Sequence, residues 1–191
     1  DGKPYVMEML KKLDEDTLID AVGYGKMVQK LSVYNDKLYR DALTGAYNRR
    51  YYEDEIKHVK GKAGVAILDV DDFKLYNQLY GVKEGDLCLQ RIAGIIKSSV
   101  GDSGYTARYG GKEFAVLLPR YDLFSARNLV ESISKQIFVM NNRRTDMKLK
   151  AITVSAGISA APYAAKNVKE LMENVDLAVY HVKHSGKNGI Q

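Results

Sequence analysis

Four aliphatic residues in succession, Val65-Ala66-Ile67-Leu68, run directly into Asp69-Val70-Asp71-Asp72. So short and unbroken an apolar run is the pattern of a central strand covered on both faces, since a half-exposed strand would alternate. Asp69 follows four apolar residues and cannot reach solvent cheaply, so it is not ordinary surface polarity. Carboxylates gathered at a strand end, beside a turn, suit a hard cation such as Mg²⁺ and the phosphates it carries. Asp72 reads more simply, as a cap for the helix that follows.

Around this strand the spacing predicts a mixed order of elements. Cys88, Ile92, Ile95 and Ser99 mark one face of a helix starting near Glu84. Tyr105 to Tyr109 and Lys112 to Leu118 are β-prone segments joined by Gly110-Gly111, a hairpin signal in which a primed turn would use positive φ. Ala126, Leu129, Val130, Ile133 and Ile137 give another helix, and Ala151 to Ile158 reads as a strand. Val168, Leu171, Met172, Val175, Val179 and Val182 give a last helix, capped by Asn167 and stopped at Gly186. The expectation is an α+β fold with one sheet covered by helices.

The first forty residues read as a helical segment separate from the rest. Tyr24, Val28, Leu31, Asn35 and Leu38 alternate spacings of four and three, as a coiled-coil seam with one polar member does. An amphipathic helix docked on its own domain fits the same residues.

Composition narrows the function classes. The chain has 191 residues, 46% hydrophobic and 28% charged, which supports a real core and excludes disorder and low-complexity arrays. One Cys excludes an internal disulfide framework and a cysteine zinc site, and suits a reducing compartment. The longest charge-free stretch, Ala151 to Ala165, is too short and polar to span a membrane, and no basic-then-apolar leader is present, so a soluble, cytoplasmic protein is expected. Net charge is +5 and spread along the chain, which indicates no nucleic-acid stripe and fits small anions such as nucleotides equally well. His181 and His184 lie one helical turn apart without further ligands and read as surface residues.

Besides the strand-end carboxylates, two segments carry polar chemistry that a fold alone does not require. The hairpin Arg108-Tyr109-Gly110-Gly111-Lys112-Glu113-Phe114 would let a phosphate or base approach its glycine backbone. Lys183-His184-Ser185-Gly186-Lys187-Asn188 places cations after a helix end, where they complement the helix dipole.

In order and spacing these segments resemble the GGDEF domains, the diguanylate cyclases. Asp41 to Arg50 (DALTGAYNRR) resembles the family's DxLTGLxNRR opening. Leu68 to Lys74 with Asn77, Gly81, Gly85 and Asp86 resembles its LDxDxFKxxND…G…GD segment. Gly110-Gly111-Lys112-Glu113-Phe114 sits where GG(D/E)EF belongs, Thr153 to Ile158 resembles a TVSxGI strand, and Asp176 to Asn188 resembles ADxALYxAKxxGRN. The resemblance covers Asp41 to Asn188.

That resemblance implies a ferredoxin-like βαββαβ core, akin to the nucleotidyl-cyclase and polymerase palm, over residues 41–191, with residues 1–40 as a helical linker or signalling segment. It implies that two facing domains, each holding one GTP, form cyclic di-GMP. Asp69 and the Val70 carbonyl would hold Mg²⁺, and Lys112 and Glu113 would stand at the catalytic signature. Asn77 and Asp86 would bond the guanine edge, and Phe73 and Lys74 would line the phosphates. Gly110 and Gly111 would let the nucleotide lie against the hairpin, and Lys183 and Lys187 would contact the β- and γ-phosphates.

The chain departs from that pattern most sharply at Lys112, where active members carry an acidic metal ligand. A protonated lysine has three donors and no acceptor. At ~4 Å and an effective dielectric of ~20, two unit charges interact by about 4 kcal/mol, and a divalent ion is repelled more. Lys187 replaces an arginine, and Gln78 and Val82 replace the usual Asp and His. The product-inhibition motif RxxD falls on Gly101-Asp102-Ser103-Gly104, without its Arg and Asp.

The expected function is therefore a degenerate, GTP-binding regulatory module with little or no cyclase activity. Beside it stand a working cyclase and a ligand-free scaffold that dimerises through the N-terminal helices. A homodimer and an upstream sensor region or signalling partner are the expected associates.

Overall fold

A computed structural model describes residues 21–58, 60–142, 151–162 and 168–191. Its internal contacts divide the chain into two units, Asp1–Arg40 and Asp41–Gln191. In the first, the described part is helix α1 (Ala21–Tyr39), on which Val28 and Leu38 are exposed. The remainder of the expected N-terminal helix, the seam side chains of Tyr24 and Asn35, and the expected cap Asn167 lie outside the described residues.

The second unit holds β1 (Tyr47–Asn48), α2 (Arg49–Ile56), β2 (Ala63–Val70), α3 (Phe73–Tyr80), α4 (Val82–Val100), β3 (Tyr105–Arg108), β4 (Glu113–Pro119), α5 (Leu123–Asn142), β5 (Val154–Ala161) and α6 (Val168–His184). One sheet runs in the order β1-β3-β4-β2-β5. β2 lies antiparallel to β4 and to β5, β3 antiparallel to β4, and the short β1 parallel to β3. The units β2-α3-α4-β3 and β4-α5-β5 each cross over one intervening strand, which is the βαββαβ connectivity of a ferredoxin-like core.

Both faces of the sheet are covered, so every residue of β2 is buried. Ala66, Leu68 and Val70 pack with Phe114, Val116 and the inner faces of α4 and α5. Their neighbours Val65 and Ile67 point the other way, against Tyr52 and Ile56 of α2 and Leu171 and Val175 of α6. The same alternation puts Asp69 on the α6 side. Register fixes its surroundings further: Asp69 pairs with Glu113 on β4 and with Ser155 on β5.

Several expectations need correction. The helix expected near Glu84 is present, beginning at Val82, but a separate and unexpected helix α3 precedes it. Gly81, with φ +85°, breaks the two apart. The hairpin turn is not a primed two-residue turn, for neither Gly110 nor Gly111 has positive φ. β3 ends at Arg108 and β4 begins at Glu113, with the Tyr109 and Gly110 amides both donating to the Glu113 carbonyl. The longer loop accommodates the crossing without left-handed glycines. The strand expected from Ala151 starts at Val154, and Arg49 to Ile56, for which no element was expected, forms α2, capped by the Asn48 side chain. Among the described residues, no helix is long and apolar enough to cross a membrane.

Candidate nucleotide and cation site

At the C-terminal end of β2, the strand, the hairpin and the end of α6 converge. Lys112 reaches across from the turn, its ammonium 2.8 Å from Asp69 Oδ1 and 3.3 Å from the Val70 carbonyl. Those two oxygens are the ones the resemblance assigns to Mg²⁺. From the other side Lys183, on the last turn of α6, stands 2.9 Å from the same Asp69 oxygen and 3.2 Å from the Asp69 carbonyl. Asp69 Oδ1 is buried and takes no hydrogen bond of good geometry, so both cations meet it as charges.

Asp71 lies deeper and is fully engaged. Its carboxylate accepts from Lys183 at 2.6 Å, from the Thr153 and Ser155 hydroxyls at 2.7 and 2.8 Å, and from the Asn188 amide at 3.1 Å. Burial alone would raise this carboxyl, but the Lys183 ammonium and the two hydroxyls outweigh it and hold the group below its ordinary range. Asp71 thus ties the strand end, β5, α6 and the following loop together. That role was partly visible in sequence, because Thr153 and Ser155 belong to a quoted motif, yet nothing in the spacing showed what their hydroxyls would bind.

Asp72 does not cap α3, contrary to expectation. With φ +51° its side chain makes no capping hydrogen bond, and its carboxylate instead pairs with Lys187 at 2.6 Å. That pair raises the Lys187 ammonium above its ordinary value, chiefly through the hydrogen bond to Asp72. Three acids and three lysines therefore interlock where β2 ends.

Beside them opens a cleft of about 640 Å³. Phe73, Lys74 and Asn77 of α3, Val82 of α4, and Gly111, Lys112 and Glu113 of the hairpin form its wall. Phe73 is largely buried and stacks on Tyr76, while Lys74 is exposed. Asn77 Oδ1 is buried without a hydrogen-bond partner. A Cβ on Gly85 would overlap that oxygen, so only glycine at 85 leaves the amide its place. Asp86 follows Gly85 on α4, half-buried. The structure thus gathers Phe73, Lys74, Asn77, Gly111, Lys112 and Glu113 around one cleft. Gly110 adjoins it in the turn, while Asp86, Lys183 and Lys187 stand outside the wall. Gly111 itself faces open space.

One brace escaped the residue-level reading. Arg108 donates to the Gly111 carbonyl at 2.7 Å and to both Asp41 oxygens at 3.3 Å, and Asp41 also accepts from the Thr44 amide and hydroxyl. Burial raises the Asp41 carboxyl, but the Thr44 bonds and Arg108 more than reverse this and lower it. The opening motif thereby anchors the hairpin loop. His181 and His184 are exposed, and the His184 ring packs on Tyr180. Among the described residues, no cluster of three or more His, Cys, Asp and Glu side chains is arranged to hold a metal.

A family model described as "Diguanylate cyclase, GGDEF domain" matches residues 38–189. Diguanylate cyclase VdcA of Vibrio cholerae is 31% identical over 167 residues, covering 85% of this chain and 49% of that protein. The chain spans from a quarter to just over half the length of such curated relatives. Among solved structures, the coiled coil and GGDEF domain of DgcB from Caulobacter crescentus, in complex with c-di-GMP, superposes with a TM-score of 0.79 at 27% identity. It covers 89% of this chain and 93% of that one. Diguanylate cyclase SiaD from Pseudomonas aeruginosa, in complex with its activator SiaC, gives a TM-score of 0.76 at 25% identity, covering 98% and 74%. The fold is the palm-like fold of these domains, and the chain belongs to the GGDEF family of diguanylate cyclase domains.

Proposed function

We propose that this chain is a GTP-binding regulatory module of cyclic di-GMP signalling, in which the Lys112 ammonium stands in for a metal ion and cyclase activity is slight or absent. The observation that carries this reading is the 2.8 Å contact of Lys112 with Asp69 together with its 3.3 Å approach to the Val70 carbonyl.

The residues present do not fit Mg²⁺. The ion needs near-octahedral oxygen coordination and favours carboxylates with substrate phosphates. Here Asp69 offers one carboxylate already flanked by two ammonium groups, the neighbouring Asp71 has its oxygens committed to protein donors, and position 112, where active members of the family carry an acidic ligand, holds an amine. What the chain's own groups supply is binding. The cleft offers Asn77 for a base edge and Lys74 and Lys112 as point charges for phosphates. Lys183 and Lys187 stand in reserve on Asp71 and Asp72.

Asp86 toward guanine and the glycine hairpin against the nucleotide complete the proposed pocket. Exposed Val28 and Leu38 on α1 support a homodimer through the N-terminal helix. A protein regulator, of the kind SiaD has in SiaC, is the partner class for a module whose output is occupancy rather than product. The reading as a working cyclase is favoured by relatives that carry that name.

Incubating the protein and its Lys112→Glu variant with GTP and Mg²⁺ or Mn²⁺, then separating the nucleotides chromatographically, decides between the readings. The proposal expects cyclic di-GMP from the variant and none above background from the unaltered chain. Product from the unaltered chain establishes the working cyclase.

A further inference from the structure

We propose a second anion site at the other end of the central strand, where a small phosphate-bearing molecule binds between the start of β2 and the end of β4. β2 starts at Ala63, six residues before Asp69, so this end lies about 20 Å from Asp69 along the strand.

A recess of about 290 Å³ opens there, floored by Leu117, Pro119 and the Tyr105 ring. Its rim carries Lys60, Lys62, Arg120 and His58 against a single carboxylate, Glu55. Lys62 is shared with Asp122 at 2.8 Å, but among the described residues Lys60 and Arg120 have no ion-pair partner. The His58 ring is held at the edge by donating from Nδ1 to the Asp54 carbonyl at 2.8 Å.

The Arg120 backbone at this edge is unusual. Its φ is +71°, a left-handed conformation that glycine adopts freely and arginine does not. The backbone there is held by the Arg120 amide donating to the Lys62 carbonyl at 2.8 Å, which closes the β2–β4 end. The rim is thus a forked guanidinium on a left-handed backbone beside an ammonium, neither with an ion-pair partner among the described residues, above an apolar and aromatic floor. It matches what a phosphate on a flat organic group requires: a forked donor, a point charge and a surface to lie on. The site is independent of the hairpin cleft and shares no residue with it.

Titration of the full chain with inorganic pyrophosphate in metal-free buffer, by calorimetry and by amide nuclear magnetic resonance, tests this. Shifts are expected at residues 60–62, 105 and 117–120. Arg120→Gly and Lys60→Ala should each weaken this binding about tenfold, as loss of one charge-assisted contact does. Arg120→Gly relieves the backbone strain, so it should melt no lower than the unaltered chain, which keeps the loss attributable to the guanidinium. Shifts confined to residues 109–112 and 183–188, or unchanged affinity in both variants, overturn the proposal.

Discussion

Lys183, on the last turn of α6, bonds Asp71 beyond the end of β2 at 2.6 Å while standing 2.9 Å from Asp69. One ammonium thus joins the C-terminal helix to both inner carboxylates of the strand end. Asp71 is 4% exposed, and it also holds Thr153, Ser155 and the Asn188 amide. Asp71→Asn should therefore destabilise the domain by about 2–4 kcal/mol, because it removes the counter-charge of Lys183 and turns an NH2 donor toward buried donors in place of one acceptor oxygen. Urea denaturation of the two proteins measures it, and a change below about 0.5 kcal/mol would show that Asp71 is not a structural tie.

The same carboxylate gives a pH dependence. Asp71 and Asp41 are both held below their ordinary range in the folded chain, Asp71 by Lys183 and two hydroxyls against burial, Asp41 by Thr44 and Arg108 against burial. The unfolded chain then binds more protons in acid, so the contribution is complete above the ordinary carboxylate range and disappears as pH falls through the lowered folded values. The melting temperature should drop between about pH 5 and pH 3, and Asp71→Asn should flatten that drop. A variant with an unchanged acid slope would assign the effect elsewhere.

Gly85→Ala separates binding from folding. The added Cβ meets the end of the Asn77 side chain, which can move aside. Melting should shift by only a few degrees, while affinity for a guanine nucleotide falls about tenfold because the displaced amide no longer faces the cleft. Equal affinity in the two proteins would remove Asn77 from the recognition surface.

Gly157→Ala is the structural counterpart. A Cβ there would run into the Val175 carbonyl and the Val179 amide, both helix backbone, where β5 and α6 pack. Backbone cannot step aside as a side-chain end can, so a loss of about 2 kcal/mol or more is expected in thermal or urea melts, with the cleft residues unaltered. A neutral substitution would mean that α6 sits farther from the sheet in solution.

Much of this arrangement could be read from residue order. The unbroken Val65 to Leu68 run marked a strand covered on both sides, and the strand has exactly the two packed faces that such a run demands, one toward Ile92 and Ile133 and one toward Val175. The segment Asp69 to Asp72 was legible as chemistry, but not the division of labour within it. Asp71 is occupied by hydroxyls more than eighty positions away in sequence, and Asp72 turns away from its helix because its backbone is left-handed. The break between α3 and α4 was hidden because one glycine at positive φ redirects the chain without interrupting the helical composition on either side. The hairpin was visible in Gly110-Gly111, whereas its turn geometry depended on the Arg108–Asp41 brace, whose partners lie 67 residues apart.

The central claim is that an ammonium, not a divalent ion, neutralises Asp69 when nucleotide is bound, and it predicts that metal is dispensable for binding. Calorimetric titration of GTP into the protein, first with millimolar Mg²⁺ and then with excess chelator, tests this directly. The account predicts dissociation constants within about threefold of each other, a difference of about 0.7 kcal/mol. A loss of a hundredfold or more on chelation would contradict it and return the strand end to a metal.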